Sequence, residues 1–354
     1  MSRYLSRLAQ GITPYVPGEQ PTRDMIKLNT NENPYPPSPR ARAVSQDEAL
    51  FAGLRRYSLP EYEPLRDLVA EQEGLPSRDY VYFGNGSDEV LMLAFGAFFD
   101  PGRPVRFADV TYSFYPVYCA LFGLTPDIVP LRPDWTWQAA DYAAPGGGIV
   151  LANPNAPTTL ALSRQAVEEV ARQHPDEVVV VDEAYVLFGA ETAVPLIHRY
   201  PNLLIVRTLS KSHSLAGMRV GYCMGQPELI DGIRRIKNSF NSYTLDAVAQ
   251  AVALAALQDA AYAQETCRKI VRTRTRATEQ LRDLGFELPD SLTNFLFAHH
   301  PQRPAREIFQ ALRERDILVR YFSSPERVSD YLRITVGTEE EMDALATALR
   351  DILA

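Results

Sequence analysis

Lys211 lies in the run Thr208-Leu209-Ser210-Lys211-Ser212-His213-Ser214-Leu215-Ala216-Gly217-Met218-Arg219. Small hydroxyl neighbours and a following arginine suit an amine that forms a Schiff base with an aldehyde beside a phosphate. Upstream, the strand-like run Val178-Val179-Val180-Val181 ends in Asp182-Glu183-Ala184-Tyr185. That segment offers a carboxylate for a pyridinium nitrogen and a phenol for the oxygen next to it. Pyridoxal 5'-phosphate (PLP) is a molecule that needs these partners together: a lysine imine, an acid at the ring nitrogen and a phosphate cradle.

Other segments carry weaker signals. Gly84-Asn85-Gly86-Ser87-Asp88-Glu89 falls between a strand-like run and a helical pattern. Free N–H groups at a helix start hold phosphate, but a glycine turn with an acidic cap is also an ordinary connection. The segment matches neither the dinucleotide fingerprint nor the P-loop. Asn153-Pro154-Asn155-Ala156-Pro157-Thr158 reads either as a rigid capping loop or as an amide donor to a phenolate oxygen. Tyr112 offers a face for a flat ring or a piece of core. His299 and His300 are adjacent, so in a strand they point to opposite faces. No histidine pair has helical metal-ligand spacing, and no metal site is expected.

These residues need elements to hold them. Short apolar runs at 80–83, 104–107, 148–151, 178–181 and 202–207 alternate with helical patterns, which argues for a mostly parallel α/β sheet. Ser163 reads as an N-cap of a helix to Gln173. An Ala-rich helix is expected from near Thr244 and an Arg-rich one over 262–284. The remainder reads strand–helix–strand–strand–helix, an α+β module. The division expected is an arm that joins the small domain at 1–45, a large domain at 46–250 and a small domain at 251–354. Ile26, Leu28 and Tyr35 are apolar anchors that tie the proline-rich arm down. Each candidate residue sits at or after a strand, where open α/β sheets bind ligands.

The 354 residues are enough for two domains, with 46% hydrophobic and 23% charged residues. A net charge of −8 without a long basic run argues against nucleic-acid binding. Three cysteines, odd in number and far apart, argue against a disulfide framework. No charged-then-apolar segment opens the chain and no long apolar run follows, so no membrane partner and a cytoplasmic location are expected.

Taken in order, these segments resemble the fold-type-I PLP-dependent aminotransferases, and within them the histidinol-phosphate aminotransferase family. The resemblance covers nearly the whole chain. It includes Ile12-Thr13-Pro14-Tyr15-Val16-Pro17-Gly18, Leu28-Asn29-Thr30-Asn31-Glu32-Asn33-Pro34-Tyr35-Pro36 and Leu332-Arg333-Ile334-Thr335-Val336-Gly337. It implies a large, mostly parallel α/β domain with a smaller α+β domain. It also implies PLP as cofactor and a homodimer with shared sites. Lys211 would carry the cofactor and shuttle protons, Asp182 would face the ring nitrogen, and Tyr185 and Asn155 would face the ring oxygen. Tyr112 would stack on the ring. Gly86, Ser87, Asp88, Ser210 and Arg219 would surround the phosphate. Tyr57 would reach the neighbouring subunit's site. Arg333 would bind substrate carboxylate, Arg320 would lie near substrate phosphate, and Tyr15 would close the pocket.

Three positions depart from the family pattern. Thr159 stands where Gly is usual, and a threonine adopts positive φ less cheaply. Ala156 replaces the usual Asn before the proline, which leaves Asn155 or Asn153 for the ring oxygen. Tyr57-Ser58-Leu59-Pro60 lacks the common Pro-Asp after the tyrosine. The implied activity is amino transfer between L-histidinol phosphate and 2-oxoglutarate, with a small-molecule amino donor and a 2-oxo acid as partners. The alternatives are an aromatic amino acid aminotransferase, a decarboxylase of phosphothreonine type, and a non-enzymatic regulator domain.

Overall fold

In the computed structural model, which describes residues 3–354, two sheets organise two bodies. The strands are β1 (Ile26–Lys27), β2 (Val81–Asn85), β3 (Val105–Ala108), β4 (Pro126–Val129), β5 (Gly148–Ala152), β6 (Val179–Asp182) and β7 (Leu203–Thr208). They continue with β8 (Val220–Met224), β9 (Phe295–His299), β10 (Ile317–Leu318), β11 (Arg320–Tyr321) and β12 (Tyr331–Thr335). The large sheet runs β2-β8-β7-β6-β5-β3-β4. Strand β8 is antiparallel to both its neighbours and the other pairings are parallel. The α/β class expected from the sequence is therefore present. Strands β4 and β8 and the helix Pro227–Phe240 are additions that the apolar runs did not announce.

The valine strands explain the layering. Side chains alternate across a strand. Ile149, Val179, Val181, Leu203 and Ile205 pack on one face with the helices Glu63–Gln72, Arg164–Gln173 and Ala247–Gln258. Val150, Val180, Leu204 and Val206 pack on the other, with Gly86–Phe98, Phe114–Phe122 and Pro227–Phe240. Burial on both faces is why these strands read as continuous apolar runs.

The small body has the antiparallel sheet β11-β12-β9 and its own core of Ile270, Leu296, Leu312, Leu332 and Ile334. Part of the N-terminal arm packs with it: β1 pairs in parallel with β10 and Leu28 is buried in the same core, whereas Ala41 belongs to the core of the large body. A boundary at residue 250 cuts the helix Ala247–Gln258, whose Ala249, Val252 and Ala253 pack with the large sheet. We place the division at Asp259 instead, before the helix Ala260–Asp283 that enters the small core.

Candidate active site

The ends of β2, β3, β5, β6 and β7 converge on a cleft of about 290 Å³ that also receives the arm and β12. Asp182 is the last residue of β6 and is only 5% exposed. Its Oδ1 accepts the Ala184 N–H at 3.1 Å and its Oδ2 accepts the Tyr115 hydroxyl at 3.0 Å. Burial pushes its carboxyl up to about 6, against these two bonds. Tyr185 follows in the turn after β6. Its hydroxyl accepts the Asn31 amide at 2.9 Å, and burial pushes it up to about 12 although Arg333 pulls the other way. Glu183 points elsewhere: it is buried against Arg207 at 2.9 Å and braces the turn.

Lys211 rides on the short helix Leu209–Ser212, started by Thr208, whose hydroxyl accepts the Ser210 N–H at 3.1 Å. Its Nζ reaches into the cleft and donates to the Thr30 carbonyl at 3.2 Å. Burial lowers the amine to about 8. Arg333 and Arg219 add to the lowering, while Glu32 and Asp88 oppose it. An amine near neutrality both gives and takes protons at ordinary pH.

One end of the cleft suits a phosphate. The helix Gly86–Phe98 begins there with no side-chain cap on its first N–H groups. Ser87, Thr208, Ser210 and Arg219 line that end. Gly86 has φ +81°, and a Cβ there would lie 2.6 Å from the Arg219 guanidinium, so the residue must be glycine for the arginine to approach. Arg219 bonds Asp88 at 2.9 Å, and the other Asp88 oxygen accepts the Tyr112 hydroxyl at 2.7 Å. Tyr112, held by this bond, lines the same cleft as Asp182. A ring with an aldehyde, a basic nitrogen and a phosphate fits this donor set. Lys211, Asp182, Tyr185, Tyr112, Ser87, Asp88, Ser210 and Arg219 are brought together as the sequence suggests.

The opposite end is cationic. Arg333 on β12 is half-buried, donates to the Asn29 carbonyl at 2.8 Å and lies 5.5 Å from both the Phe295 and Phe322 rings. Its Nε has no hydrogen-bond partner. Tyr15 stacks on Phe114 at 4.5 Å and borders the same space.

Two expected residues stand elsewhere, and Tyr57, expected at a neighbouring subunit's site, lies outside the cleft of its own chain. Asn155 does not face the cleft: its amide donates to Val110 and Thr158, both at 2.8 Å, and its carbonyl accepts Thr111 at 2.7 Å. Asn153 is likewise spent on Leu162. The ring-oxygen role assigned to the Asn loop is therefore corrected, since only Pro154 and Ala156 of that loop border the cleft. Arg320 does not line the cleft either. It donates to Val16 and Pro17 carbonyls at 3.1 and 3.4 Å and so fastens the arm that carries Tyr15. Tyr57 is 82% exposed, stacked on Tyr243 at 4.5 Å and outside the cleft of its own chain. Thr159 keeps the loop's left-handed turn, with φ +71°, although it is fully buried and its hydroxyl is unpartnered. The turn geometry is thus retained at the cost of strain.

Sequence reasoning missed Asn31, Thr30, Glu32, Tyr115 and Thr208. The Asn-Thr-Asn-Glu-Asn-Pro run was visible, and Asn31 at φ +56° is a residue type that tolerates that conformation. Tyr115 carried no local signal.

Residues 23–349 match the family profile "Aminotransferase class I and II". The chain belongs to this family. Within it, the chain is 51% identical to histidinol-phosphate aminotransferase 2 of Dechloromonas aromatica, covering 99% of each. It is 52% identical to the histidinol-phosphate aminotransferase of Acetobacter pasteurianus, over 100% of this chain and 99% of that one. The fold matches the histidinol-phosphate aminotransferase of Sinorhizobium meliloti in complex with pyridoxal-5'-phosphate. The TM-score is 0.88 and the identity 26%, over 100% of this chain and 98% of the other. As a fold-type-I aminotransferase the chain uses PLP, and the donor set above fits it. No helix of the described residues is long and apolar enough to cross a membrane, and no metal-binding cluster of His, Cys, Asp or Glu occurs among them.

Proposed function

We propose that this aminotransferase exchanges an amino group between L-histidinol phosphate and 2-oxoglutarate, yielding imidazole acetol phosphate and L-glutamate in histidine biosynthesis. The observation that carries this reading is one cleft lined by Lys211, a phosphate cradle and the half-buried arginine Arg333, in a chain about half identical to histidinol-phosphate aminotransferases over its whole length. Bound PLP supplies the aldehyde that captures an amine and the ring that stores the electrons released with a proton.

The chain's own residues do the rest. Ser87, Ser210, Arg219 and the start of the helix Gly86–Phe98 would hold the cofactor phosphate through charge-assisted bonds. Asp182, steadied by Tyr115, would hold the ring nitrogen in its protonated form. Tyr185, steadied by Asn31, would hydrogen-bond the ring oxygen. Tyr112 would stack on the ring. Lys211 Nζ takes the proton from the substrate's amino-bearing carbon and returns it at the other end of the transfer. Arg333 binds the donor's phosphate in one half-reaction and a carboxylate in the other, since a guanidinium fork suits both.

The working form in this reading is a cytoplasmic homodimer. Tyr57, Leu59, Phe240 and Tyr243 leave large apolar surfaces exposed on one chain, and Tyr57 lies outside its own cleft.

Amino donors assayed against 2-oxoglutarate test the substrate. L-histidinol phosphate is expected to exceed histidinol, phenylalanine and tyrosine by at least about tenfold in kcat/KM, as expected when a charged anchor is lost. A preference for phenylalanine or tyrosine would replace this reading with an aromatic aminotransferase, and carbon dioxide release with a decarboxylase. Borohydride reduction and peptide mapping should place the cofactor on Lys211.

A further inference from the structure

Thr30 joins two sets of interactions. Its hydroxyl donates to Glu32 Oε2 at 2.8 Å and accepts from Lys27 Nζ, and Lys27 also pairs with Glu32. Its main-chain carbonyl accepts from Lys211 Nζ at 3.2 Å. The side-chain clamp on Thr30 therefore sets where the carbonyl sits, and the carbonyl sets where the amine sits.

Glu32 also borders the cleft directly. Its Oε2 takes both bonds, and its Oε1 has no hydrogen-bond partner among the described residues. Burial would raise its carboxyl, but the bonds from Lys27 and Thr30 outweigh burial and hold it below the usual range, so it stays charged. The charged groups facing Lys211 are Arg333, Glu32, Asp88 and Arg219. Asp88 is already matched by Arg219 and Tyr112, and Asp182 by Tyr115 and Ala184. Glu32 is thus a carboxylate lining the cleft that keeps one oxygen free of hydrogen bonds among the described residues.

We propose that Glu32 is a positioning residue for the Lys211 amine: with Lys27 it locks Thr30, whose carbonyl holds Nζ, and it sets a negative charge on the wall of the same cleft. This rests on Lys211 being the reactive amine. A negative group near an amine makes that amine more basic. Removing the charge must make Lys211 lose its proton at lower pH, and removing the clamp must misplace the amine.

Both effects are measurable without turnover. Acetylation of Lys211 in cofactor-free protein, followed by peptide mapping across pH, reads the amine's own titration. In Glu32→Gln, which keeps the side chain's shape, the midpoint should fall by about 0.5–1 pH unit. The loaded Glu32→Gln enzyme should lose roughly tenfold in kcat, with KM changed less than about twofold, as expected when only placement is lost. Its acid limb should shift down by a similar amount. Thr30→Val should lose a similar factor, and Thr30→Ser, which keeps the hydroxyl, should lose less. Circular dichroism and cofactor content would be read on every variant. A fall in kcat with an unmoved acetylation midpoint makes Glu32 merely structural and overturns the proposal, as does a kcat near wild type in both Glu32→Gln and Thr30→Val. If borohydride places the cofactor on a lysine other than Lys211, the functional reading itself fails, which is a different outcome from an unmoved midpoint at a labelled Lys211.

Discussion

The Asn31 side-chain amide donates to the Tyr185 hydroxyl at 2.9 Å, across 154 residues of sequence. Asn31 is itself held by three bonds, with Thr335 and Asn294. Its N–H donates to Thr335 at 2.9 Å, its carbonyl accepts Asn294 at 2.9 Å, and its side-chain oxygen accepts Thr335 at 3.3 Å. The small body therefore aims a residue of the large one. Tyr185→Phe leaves the buried Asn31 amide without an acceptor, which costs about 1–3 kcal/mol. The variant should keep its fold and bind PLP, with a shifted visible absorbance and a kcat lower by roughly tenfold. Asn31→Ala should reproduce the spectral shift, because it frees the same hydroxyl. A spectrum unchanged in both variants would remove the link between the arm and the ring oxygen.

Asp182 makes a prediction about pH. Its carboxyl titrates near 6 in the folded chain because it is buried, against about 3.9 in an unfolded one. Between those values the folded chain holds a proton that the unfolded chain has lost. The stability linked to that proton is complete below about pH 3.9 and disappears as pH rises through about 6. Asp182→Asn cannot ionise and escapes the loss. In urea titrations without cofactor, the variant should exceed wild type by about 2–3 kcal/mol at pH 8 and converge with it near pH 4. Loaded with PLP, the same variant should retain cofactor through the phosphate cradle and lose turnover by about a thousandfold, if the carboxylate governs the ring nitrogen. Parallel stability profiles at all pH would contradict the buried carboxylate.

Arg333 and Arg320 stand directly opposite each other on antiparallel strands, yet only Arg333 enters the cleft. Arg333→Lys keeps the charge and loses the planar fork. It should lower kcat/KM for histidinol phosphate and for glutamate alike, by about tenfold to a hundredfold. Arg320→Ala frees the carbonyls of Val16 and Pro17 and should act chiefly by loosening the segment that carries Tyr15. Stopped-flow measurement of each half-reaction separates these effects. An Arg320→Ala defect confined to phosphate-bearing donors would instead show that this side chain swings into the cleft.

Tyr57 tests the shared site. Tyr57→Ala and Lys211→Ala should each be strongly impaired when pure. Mixed, dissociated and reassembled, they should recover up to about a quarter of wild-type activity, because random pairing makes half the dimers hybrid and each hybrid holds one intact site. Sedimentation velocity should show a dimer in both parents. Full activity at dilutions where only monomer sediments would exclude a site completed by the neighbour.

How much of this was legible beforehand depends on the range over which each feature is specified. Lys211, Asp182, Tyr185, Ser87 and Arg219 were recoverable from the linear chain because each lies at the end of a strand or in the segment that leaves it, and apolar runs locate strands locally. The cap at Ser163, which accepts from Ala166 at 3.2 Å, has the same local origin. Alternation along Val179–Asp182 tells which residues share a face, but it cannot name the neighbouring strand or its direction, so β8 and its antiparallel pairings came only with the fold. The direction of Asn155, the fastening of Arg320 to the arm and the braces from Tyr115 and Asn31 were likewise invisible. Each is a hydrogen bond between segments far apart in sequence, and which polar group satisfies which buried partner is decided only when packing brings them together. The chain alone determined the chemistry at strand ends; the tertiary structure decided which side chains hold that chemistry in place.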